Sequence, residues 1–180
     1  RAPMQEEGGE DSLRDAEAAD PLAAIVRMEF LPRARYLLEV SPAPAAAPPL
    51  LDALGACARH SPAAAARIVA CPRLVDTLKS EALEGKLGCA ERALRVLRAL
   101  AAAAPAHAAR LAQSGFVIGA VHRFATISSE EAIAPPQLGW SAWREAVRLW
   151  RLCVSAPNTP STTLPIFEEL YPALCRVLAP

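Results

Sequence analysis

Lysine is almost absent from this chain, which contains Lys79 and Lys86 only, and aromatic residues make up 5% of it. Surfaces that bind nucleic acid usually combine an excess of basic side chains with aromatic rings that stack on the bases. Here the nineteen basic side chains are balanced by nineteen acidic ones, so the formal net charge is zero. We therefore expect no direct contact with nucleic acid.

Long apolar runs are missing as well. The alanine-rich middle of the chain is interrupted by Arg98, Pro105 and Arg110, whereas a membrane-spanning helix needs about twenty consecutive apolar residues. The chain starts at Arg1 without a basic segment followed by an apolar one, the pattern of a secretory signal peptide. The sequence predicts no membrane span, and we expect it to be part of a longer protein.

Motifs for catalysis and cofactor binding are also lacking. There is no G-x-S-x-G nucleophile turn and no Gly-rich phosphate loop, and His107 and His122 belong to no nucleophile motif. Neighbouring side chains on a helix or loop point apart, so neither of the adjacent glutamate pairs, 130–131 and 168–169, is expected to act as an acid and base. We predict no catalytic residue and no cofactor, and therefore no enzyme.

The cysteines do not form a disulfide framework. Cys57 and His60 have a spacing that metal ligands can use on a helix, and Cys71 is a possible third ligand, but structural zinc takes four and no second pair exists. We predict no metal site and interpret the thiols as free, buried groups of a reducing compartment. The five are Cys57, Cys71, Cys89, Cys153 and Cys175.

What the chain does contain is a repeated helical pattern, clearest between residues 90 and 111. Leu94, Leu97 and Leu100 recur every three residues and predict an amphipathic helix that ends at Pro105. Much of this pattern recurs 43 residues earlier, and periods of about 40 to 47 residues are typical of HEAT and armadillo arrays. The matched pairs are Leu51 with Leu94, Leu54 with Leu97, Pro62 with Pro105, Arg67 with Arg110, Ile68 with Leu111, Leu74 with Val117 and Val75 with Ile118.

This pattern predicts an all-α fold, a segment of a HEAT/armadillo-like helical repeat (α-solenoid). We expect residues 1–20, with seven acidic and two basic side chains, to be a disordered acidic lead-in. The loop-like composition of 126–139 predicts a loop inserted before the last unit. The α-helical repeat segment, 21–180, is divided into units at about 21–49, 50–88, 89–125 and 140–180.

Several finer expectations follow from prolines and apolar spacing. Pro32 predicts a break between a helix over 22–30 and one over 33–40, with Tyr36 and Leu37 facing inward. The segment 41–49, rich in Ala and Pro, is expected to be an extended linker. Asp20 before Pro21 and Ser61 before Pro62 are helix start signals. Trp143, Val147 and Trp150 share one helix face and are expected in the core, with a ligand or partner pocket as the alternative; a last helix is predicted over 165–178.

Arginine is the one polar residue with a regular arrangement. The stretch ALRVLRAL (93–100) returns as AVRLWRLC (146–153), so an offset of 53 relates Arg95 to Arg148 and Arg98 to Arg151. We call these four residues the arginine strip. Stacked repeats would align them into a surface for an acidic segment of a partner; alternatively, they are solvated side chains paired with neighbouring carboxylates.

Four stretches resemble a known family in their order and spacing: LPRARYLLEV (31–40), ARHSPAAAARIVACPRLVDTL (58–78), REAVRLW (144–150) and EELYPALCRVL (168–178). The resemblance is to the C-terminal half of the RNA polymerase II-associated protein 1 family, and it covers most of residues 20–178. It implies a non-enzymatic factor that binds RNA polymerase II in the nucleus and cytoplasm and helps its assembly, nuclear import or regulation, together with small GTPases and chaperone complexes. The alternative is a structural spacer within a longer solenoid, with no partner of its own.

Overall fold

The protein is described by a computed structural model over residues 14–15, 18–39, 45–130 and 137–156. All regular structure in these ranges is helical, which confirms the all-α prediction, and none of their helices is long and apolar enough to cross a membrane. The predicted helix over 165–178 and most of the predicted acidic lead-in lie outside these ranges. In chain order the elements are α1 (Pro21–Ile25), a π-helical turn (Val26–Phe30), α2 (Leu31–Glu39), α3 (Ala47–His60), α4 (Pro62–Ala70), α5 (Leu74–Glu84), α6 (Leu87–Ala103), α7 (Pro105–Gln113), α8 (Phe116–Glu130) and α9 (Gln137–Val154).

Two helices begin at the predicted start signals, and their caps are bonded to each other. The carboxylate of Asp20 accepts a hydrogen bond from the Leu22 amide at 3.0 Å, and the Ser61 hydroxyl accepts one from the Ala64 amide at 2.8 Å. The Ser61 hydroxyl in turn donates to the other carboxylate oxygen of Asp20. This bond favours the charged carboxylate and lowers the pKa of Asp20. The starts of α1 and α4 are therefore joined by one hydrogen-bonded pair.

The 43-residue spacing reappears in the helices themselves. Helix α4 begins at Pro62 and ends at Ala70, and α7 begins at Pro105 and ends at Gln113, so both ends are 43 residues apart. Each of the two follows a longer helix, α3 or α6, and precedes another, α5 or α8. Four of the five matched apolar pairs are buried in both copies, and Val75 and Ile118 are partly buried: the four are Leu51 and Leu94, Leu54 and Leu97, Ile68 and Leu111, Leu74 and Val117.

Helix α6 is the centre of the packing. It contacts α3, α4, α5, α7 and α9. Leu94, Leu97 and Leu100 have no exposed surface, and the small residues Ala90 and Ala93 are equally buried, so neighbouring helices can approach α6 closely. The stretch with the clearest sequence pattern is thus the one that most other helices pack against.

The helix predicted to stop before Pro32 continues through it. The Leu31 amide donates to the Val26 carbonyl, five residues back, in the widened turn before the proline. A proline has no N–H, and its ring collides with the carbonyl four residues back in an α-helix, so a wider turn accommodates it. This continuous run also corrects the predicted facing of Tyr36 and Leu37, which are exposed, whereas Leu31 is buried.

Two predicted irregular segments are shorter than expected. The prediction of an extended linker over 41–49 is wrong at its C-terminal end, because α3 begins at Ala47. The two prolines that follow lie in the first turn of α3, where no intrahelical N–H bond is needed. The loop predicted over 126–139 is wrong at both ends, because α8 runs to Glu130 and α9 begins at Gln137. Residues 126–130 contain neither proline nor glycine to stop the helix.

Candidate protein-binding surface

Two glutamates are buried where α6 packs against α9. Glu91 on α6 is 6% exposed and Glu145 on α9 is 4% exposed. A buried carboxylate loses its hydration, which is costly unless cations or hydrogen-bond donors replace the lost water. The arginine strip supplies these donors.

Glu145 binds two arginines of the strip. Arg98 reaches it from α6, with Nε 2.8 Å from Oε2 of Glu145, and Arg148 reaches it from one turn further along α9, with Nη1 2.6 Å from Oε1. The side chain of Arg98 is 35% exposed and that of Arg148 is 54% exposed. One buried carboxylate therefore holds two guanidinium groups whose remaining surface faces solvent.

Glu91 anchors the third arginine and also connects the same two helices. Arg95, one turn further along α6, donates to Oε1 of Glu91, and the hydroxyl of Ser141 on α9 donates to the same oxygen. The Arg95 side chain is 45% exposed. The arginine is thus fixed at its inner side and open to solvent at its outer side.

Arg151 differs from the other members of the strip. It is exposed in the last turn of α9, where a positive charge is favourable at the negative end of the helix dipole. Among the described residues, no acidic side chain pairs with it. The structure therefore brings Arg98 and Arg148 together on one carboxylate, holds Arg95 on another, and leaves Arg151 at the end of α9.

This arrangement suits recognition of carboxylates. A guanidinium has five N–H donors in a rigid, planar arrangement and can donate two parallel hydrogen bonds to one carboxylate, a bidentate contact. Buried partners fix the orientation of Arg95, Arg98 and Arg148, so less side-chain entropy is lost when a ligand binds. Four arginines outnumber the two buried glutamates, so the surface keeps a positive charge.

The three tryptophans lie on α9, the same helix as Glu145. Trp143, Val147 and Trp150 are half-buried against the apolar core, as their shared face predicted. Trp140 stacks edge-on against Trp143, with ring centroids 5.5 Å apart and an interplanar angle of 84°. These rings contribute to the packing of α9.

The thiols and histidines give no sign of metal binding in the described ranges. Cys57, Cys71, Cys89 and Cys153 form no disulfide among the described residues, and burial raises the pKa of each thiol, to about 11 for Cys153. The described residues contain no group of three His, Cys, Asp or Glu side chains that could hold a metal ion. The prediction of buried thiols is confirmed for Cys153, whereas Cys57, Cys71 and Cys89 are partly exposed and Cys175 lies outside the described residues.

Sequence reasoning missed a second cluster of arginines. Arg27, Arg35 and Arg67 line a cavity between the first helical run and α4. Eight residues separate the first two, which puts them within about a quarter turn of each other on one continuous helix. The predicted helix break at Pro32 placed Arg27 and Arg35 on separate helices, so their proximity was not predicted.

Comparison with known proteins gives a consistent set of relatives. The chain is 33% identical to RNA polymerase II-associated protein 1 of Homo sapiens over 88% of the chain and 12% of the human protein. It is 30% identical to the Bos taurus protein of that name over 96% of the chain and 13% of the relative. It is 29% identical to Transcriptional elongation regulator MINIYO of Arabidopsis thaliana over 89% of the chain and 11% of the relative.

No protein-family profile matches the chain, and no solved structure matches it significantly. The chain spans about an eighth of the length of the curated relatives it matches. Similarity to several such relatives over nearly its whole length shows that the chain belongs to the RNA polymerase II-associated protein 1 family.

Proposed function

We propose that this chain is a non-enzymatic scaffold segment that binds RNA polymerase II subunits or their assembly factors through protein–protein contacts. The observation that carries this proposal is the arginine strip, whose guanidinium groups are held by buried Glu91 and Glu145 and open to solvent on the other side. A fixed, basic surface of this kind binds an acidic segment of a protein partner.

The fold supports a scaffold. We propose that the helices belong to a HEAT/armadillo-like α-solenoid divided into units at about 21–49, 50–88, 89–125 and 140–180, because α4 and α7 repeat with a spacing of 43 residues at both ends. In such an array each helix buries one side on its neighbours, and the outer sides form an extended surface for partners.

The names of the relatives guide the choice of partner. They associate those proteins with RNA polymerase II and with the regulation of transcriptional elongation. We infer a role for this chain in polymerase II assembly, nuclear import or transcription regulation, with small GTPases and chaperone complexes as further partners. Such a role requires presence in the nucleus and, during assembly and import, in the cytoplasm.

A capture experiment tests the proposal. Residues 1–180 are immobilised and incubated with nuclear and with cytoplasmic extract, and retained RNA polymerase II subunits are detected by antibody. We expect a variant of the strip to lose them, with Arg98 left in place because it balances Glu145. This strip variant carries Arg95→Gln, Arg148→Gln and Arg151→Gln.

The control variant removes the same amount of charge from exposed arginines elsewhere, and circular dichroism verifies that both variants are helical. It carries Arg33→Gln, Arg59→Gln and Arg110→Gln. Loss of the polymerase subunits from the strip variant alone supports the proposal. Equal retention by the two variants, or no retention by the parent chain, contradicts it.

A second candidate function is a structural spacer within a longer solenoid, with no partner of its own. It is favoured by the pairing of Arg95, Arg98 and Arg148 with carboxylates of the chain itself. In this account the strip only ties α6 to α9. Absence of any captured polymerase subunit from a helical parent chain would favour the spacer.

A further inference from the structure

A cavity of about 130 Å³ lies where α4, α5 and α7 meet, and no residue of the arginine strip lines it. We propose that this cavity binds a small free carboxylate whose stem is a short apolar chain. The inference concerns a small-molecule site and does not depend on the arginine strip or on polymerase binding. The wall combines basic and apolar side chains: Lys79, His107 and Arg110, with Val69, Val75 and Leu111.

The most buried polar side chain of the wall has an atom without a partner. His107 is only 4% exposed, and its Nε2 has no hydrogen-bond partner among the described residues. A buried polar atom that stays unpaired is costly, and such atoms are rare in folded proteins. An unpaired atom on a side chain that lines a cavity therefore points to a ligand that bonds to it.

Two cations of the wall lie closer to solvent. Arg110 is exposed and Lys79 is partly exposed. Lys79 Nζ lies 3.2 Å from Oδ1 of Asp76, whose side chain is 78% exposed and is not part of the wall. None of the ion pairs among the described residues includes Arg110. Two cations with one neighbouring carboxylate leave a single excess positive charge.

The pKa of His107 reflects the same positive surroundings. Burial is the largest cause that lowers this pKa to about 4, and the charges of Arg110 and Lys79 contribute to the shift. No acidic group is among its causes. The imidazole is therefore neutral at pH 7, and a neutral imidazole still has one N–H, which can be on Nε2 and donate to an anion.

One excess charge and one neutral donor match a carboxylate. Its two oxygens can accept from Nε2 of His107 and from the cation of Arg110 or Lys79, and its single charge balances the excess. A phosphate monoester carries a charge near −2 at neutral pH. Half of that charge would remain unbalanced in a partly buried site, which is unfavourable.

The apolar part of the wall determines what carries the carboxylate. Val69, Val75 and Leu111 supply a surface that favours a hydrocarbon stem over a polar one. A cavity of about 150 Å³ holds a molecule of the size of benzene, so this one has room for about six non-hydrogen atoms. The carboxylate group takes up half of them, which leaves a stem of about three carbons.

The surroundings favour a free molecule over a side chain of a partner protein. Large apolar side chains that remain exposed together mark surfaces for protein contact. Among the described residues none of these lines the cavity. They are Ile25, Met28, Tyr36, Leu37 and Val154.

Titration with butyrate tests the proposal. The probe is sodium butyrate, and its binding to residues 1–180 at constant ionic strength is followed by the amide shifts in two-dimensional NMR. We expect saturable binding with a Kd on the order of 1 mM for a ligand of this size. Butyramide, the neutral analogue, and inorganic phosphate should each bind at least about tenfold more weakly. A peptide of nine residues with one central glutamate tests the protein source and should also bind more weakly than butyrate.

The ring nitrogens of His107 provide a second readout, which a purely structural role would not change. Their chemical shifts in a long-range nitrogen–proton correlation report which nitrogen has the N–H and whether that N–H is hydrogen-bonded. With saturating butyrate, Nε2 should report an N–H bonded to the carboxylate. The ring nitrogens of His60, at an exposed position, should not change.

Variants locate the binding site. Arg110→Gln removes an exposed cation of the wall and should weaken butyrate binding by about tenfold. Asp76→Asn frees Lys79 from its partner and should strengthen binding by roughly twofold to fivefold. Arg33→Gln, an exposed change on α2 outside the wall, is the matched control and should bind as the parent does.

Four results would overturn the proposal. Equal affinity for butyrate and butyramide would show that the charge is not recognised, and tighter binding of phosphate would assign the site to another anion. Unchanged butyrate binding in both Arg110→Gln and Asp76→Asn, or unchanged ring nitrogens of His107 at saturation, would place the ligand elsewhere. Tighter binding of the glutamate peptide than of butyrate would assign the cavity to a protein partner instead.

Discussion

Arg98 on α6 donates a hydrogen bond to Glu145 on α9 across 2.8 Å, although 47 residues separate them along the chain. The same carboxylate accepts from Arg148 at 2.6 Å. Glu145 is buried and both arginines are partly exposed, so the Glu145 carboxylate has two roles. It holds the helices together and fixes the direction of the guanidinium groups that face solvent.

Replacement of Glu145 should therefore weaken the fold. In Glu145→Gln the neutral amide replaces the carboxylate that accepts charge-assisted hydrogen bonds from Arg98 and Arg148, so we expect the free energy of unfolding to fall by about 1.5–3 kcal/mol. Urea denaturation followed by circular dichroism measures it. The control is Arg148→Gln, whose side chain is 54% exposed and which should cost less than about 1 kcal/mol; equal losses in both variants would contradict this assignment.

The buried imidazole of His107 should make the fold sensitive to acid. Burial is the main cause that lowers the pKa of His107 to about 4, and the nearby positive charges of Arg110 and Lys79 contribute to this shift. In the unfolded chain the imidazole titrates near its ordinary pKa of 6.5. Between these two values the unfolded state binds the proton and the folded state does not, so stability decreases as the pH is lowered through this range.

The expected loss is about 2 kcal/mol between pH 7 and pH 5, from the difference between the two pKa values. Urea denaturation at both pH values measures it. His107→Gln removes the titrating group and should abolish most of this difference, whereas His60→Gln, at an exposed position, should leave it unchanged. A His107→Gln chain that loses as much stability as the parent would show that another group is responsible.

The joined caps of α1 and α4 should contribute to stability together. Ser61→Ala removes the hydroxyl that caps α4 and donates to Asp20, and we expect it to lower the free energy of unfolding by about 1–2 kcal/mol. Asp20→Ala removes the same bond from the other side, so the double variant should lose less than the sum of the two single variants. Thermal and urea denaturation of the three variants measure the coupling. Ser80→Ala, at an exposed site, is the control, and strict additivity would argue against the shared bond.

Arg123 on α8 should stabilise the end of α5. Its Nη1 donates to the carbonyl of Ala82 at 2.6 Å and its Nη2 to the carbonyl of Gly85 at 2.9 Å, which satisfies acceptors that the helix itself leaves open. Arg123→Lys keeps the charge but cannot make both bonds, so we expect a loss of about 1–2 kcal/mol in urea denaturation. Arg33→Lys on the surface of α2 is the control. A loss below the error of the measurement would show that these bonds contribute little.

Helix start signals and the 43-residue spacing of buried positions could be predicted from the sequence. Asp20 and Ser61 start helices because their side chains cap free amides, which depends on neighbouring residues only. The offset of 43 was readable because the paired positions, such as Leu54 and Leu97, are buried equally and therefore share the same apolar character. The repeated order of helices followed from these two kinds of signal.

Contacts between helices could not be predicted from the sequence in the same way. The offset of 53 that relates the members of the arginine strip pairs Glu145 with Arg92, so the repeat gives no hint that a carboxylate lies between Arg98 and Arg148. That contact depends on how α6 and α9 are rotated against each other. The cavity beside Arg67 was missed for a related reason, since it requires the chain to remain helical through Pro32.

We propose that the arginine strip binds RNA polymerase II, and this binding is tested by measuring the Kd of residues 1–180 for purified RNA polymerase II at two salt concentrations. We expect binding by the parent chain that weakens as salt is raised, because exposed charges are screened. The strip variant Arg95→Gln, Arg148→Gln and Arg151→Gln should bind at least about tenfold more weakly at low salt, and the control variant of three other arginines should bind as the parent does. The same Kd for parent and strip variant, or no binding by a folded parent, would show that the arginine strip does not bind RNA polymerase II.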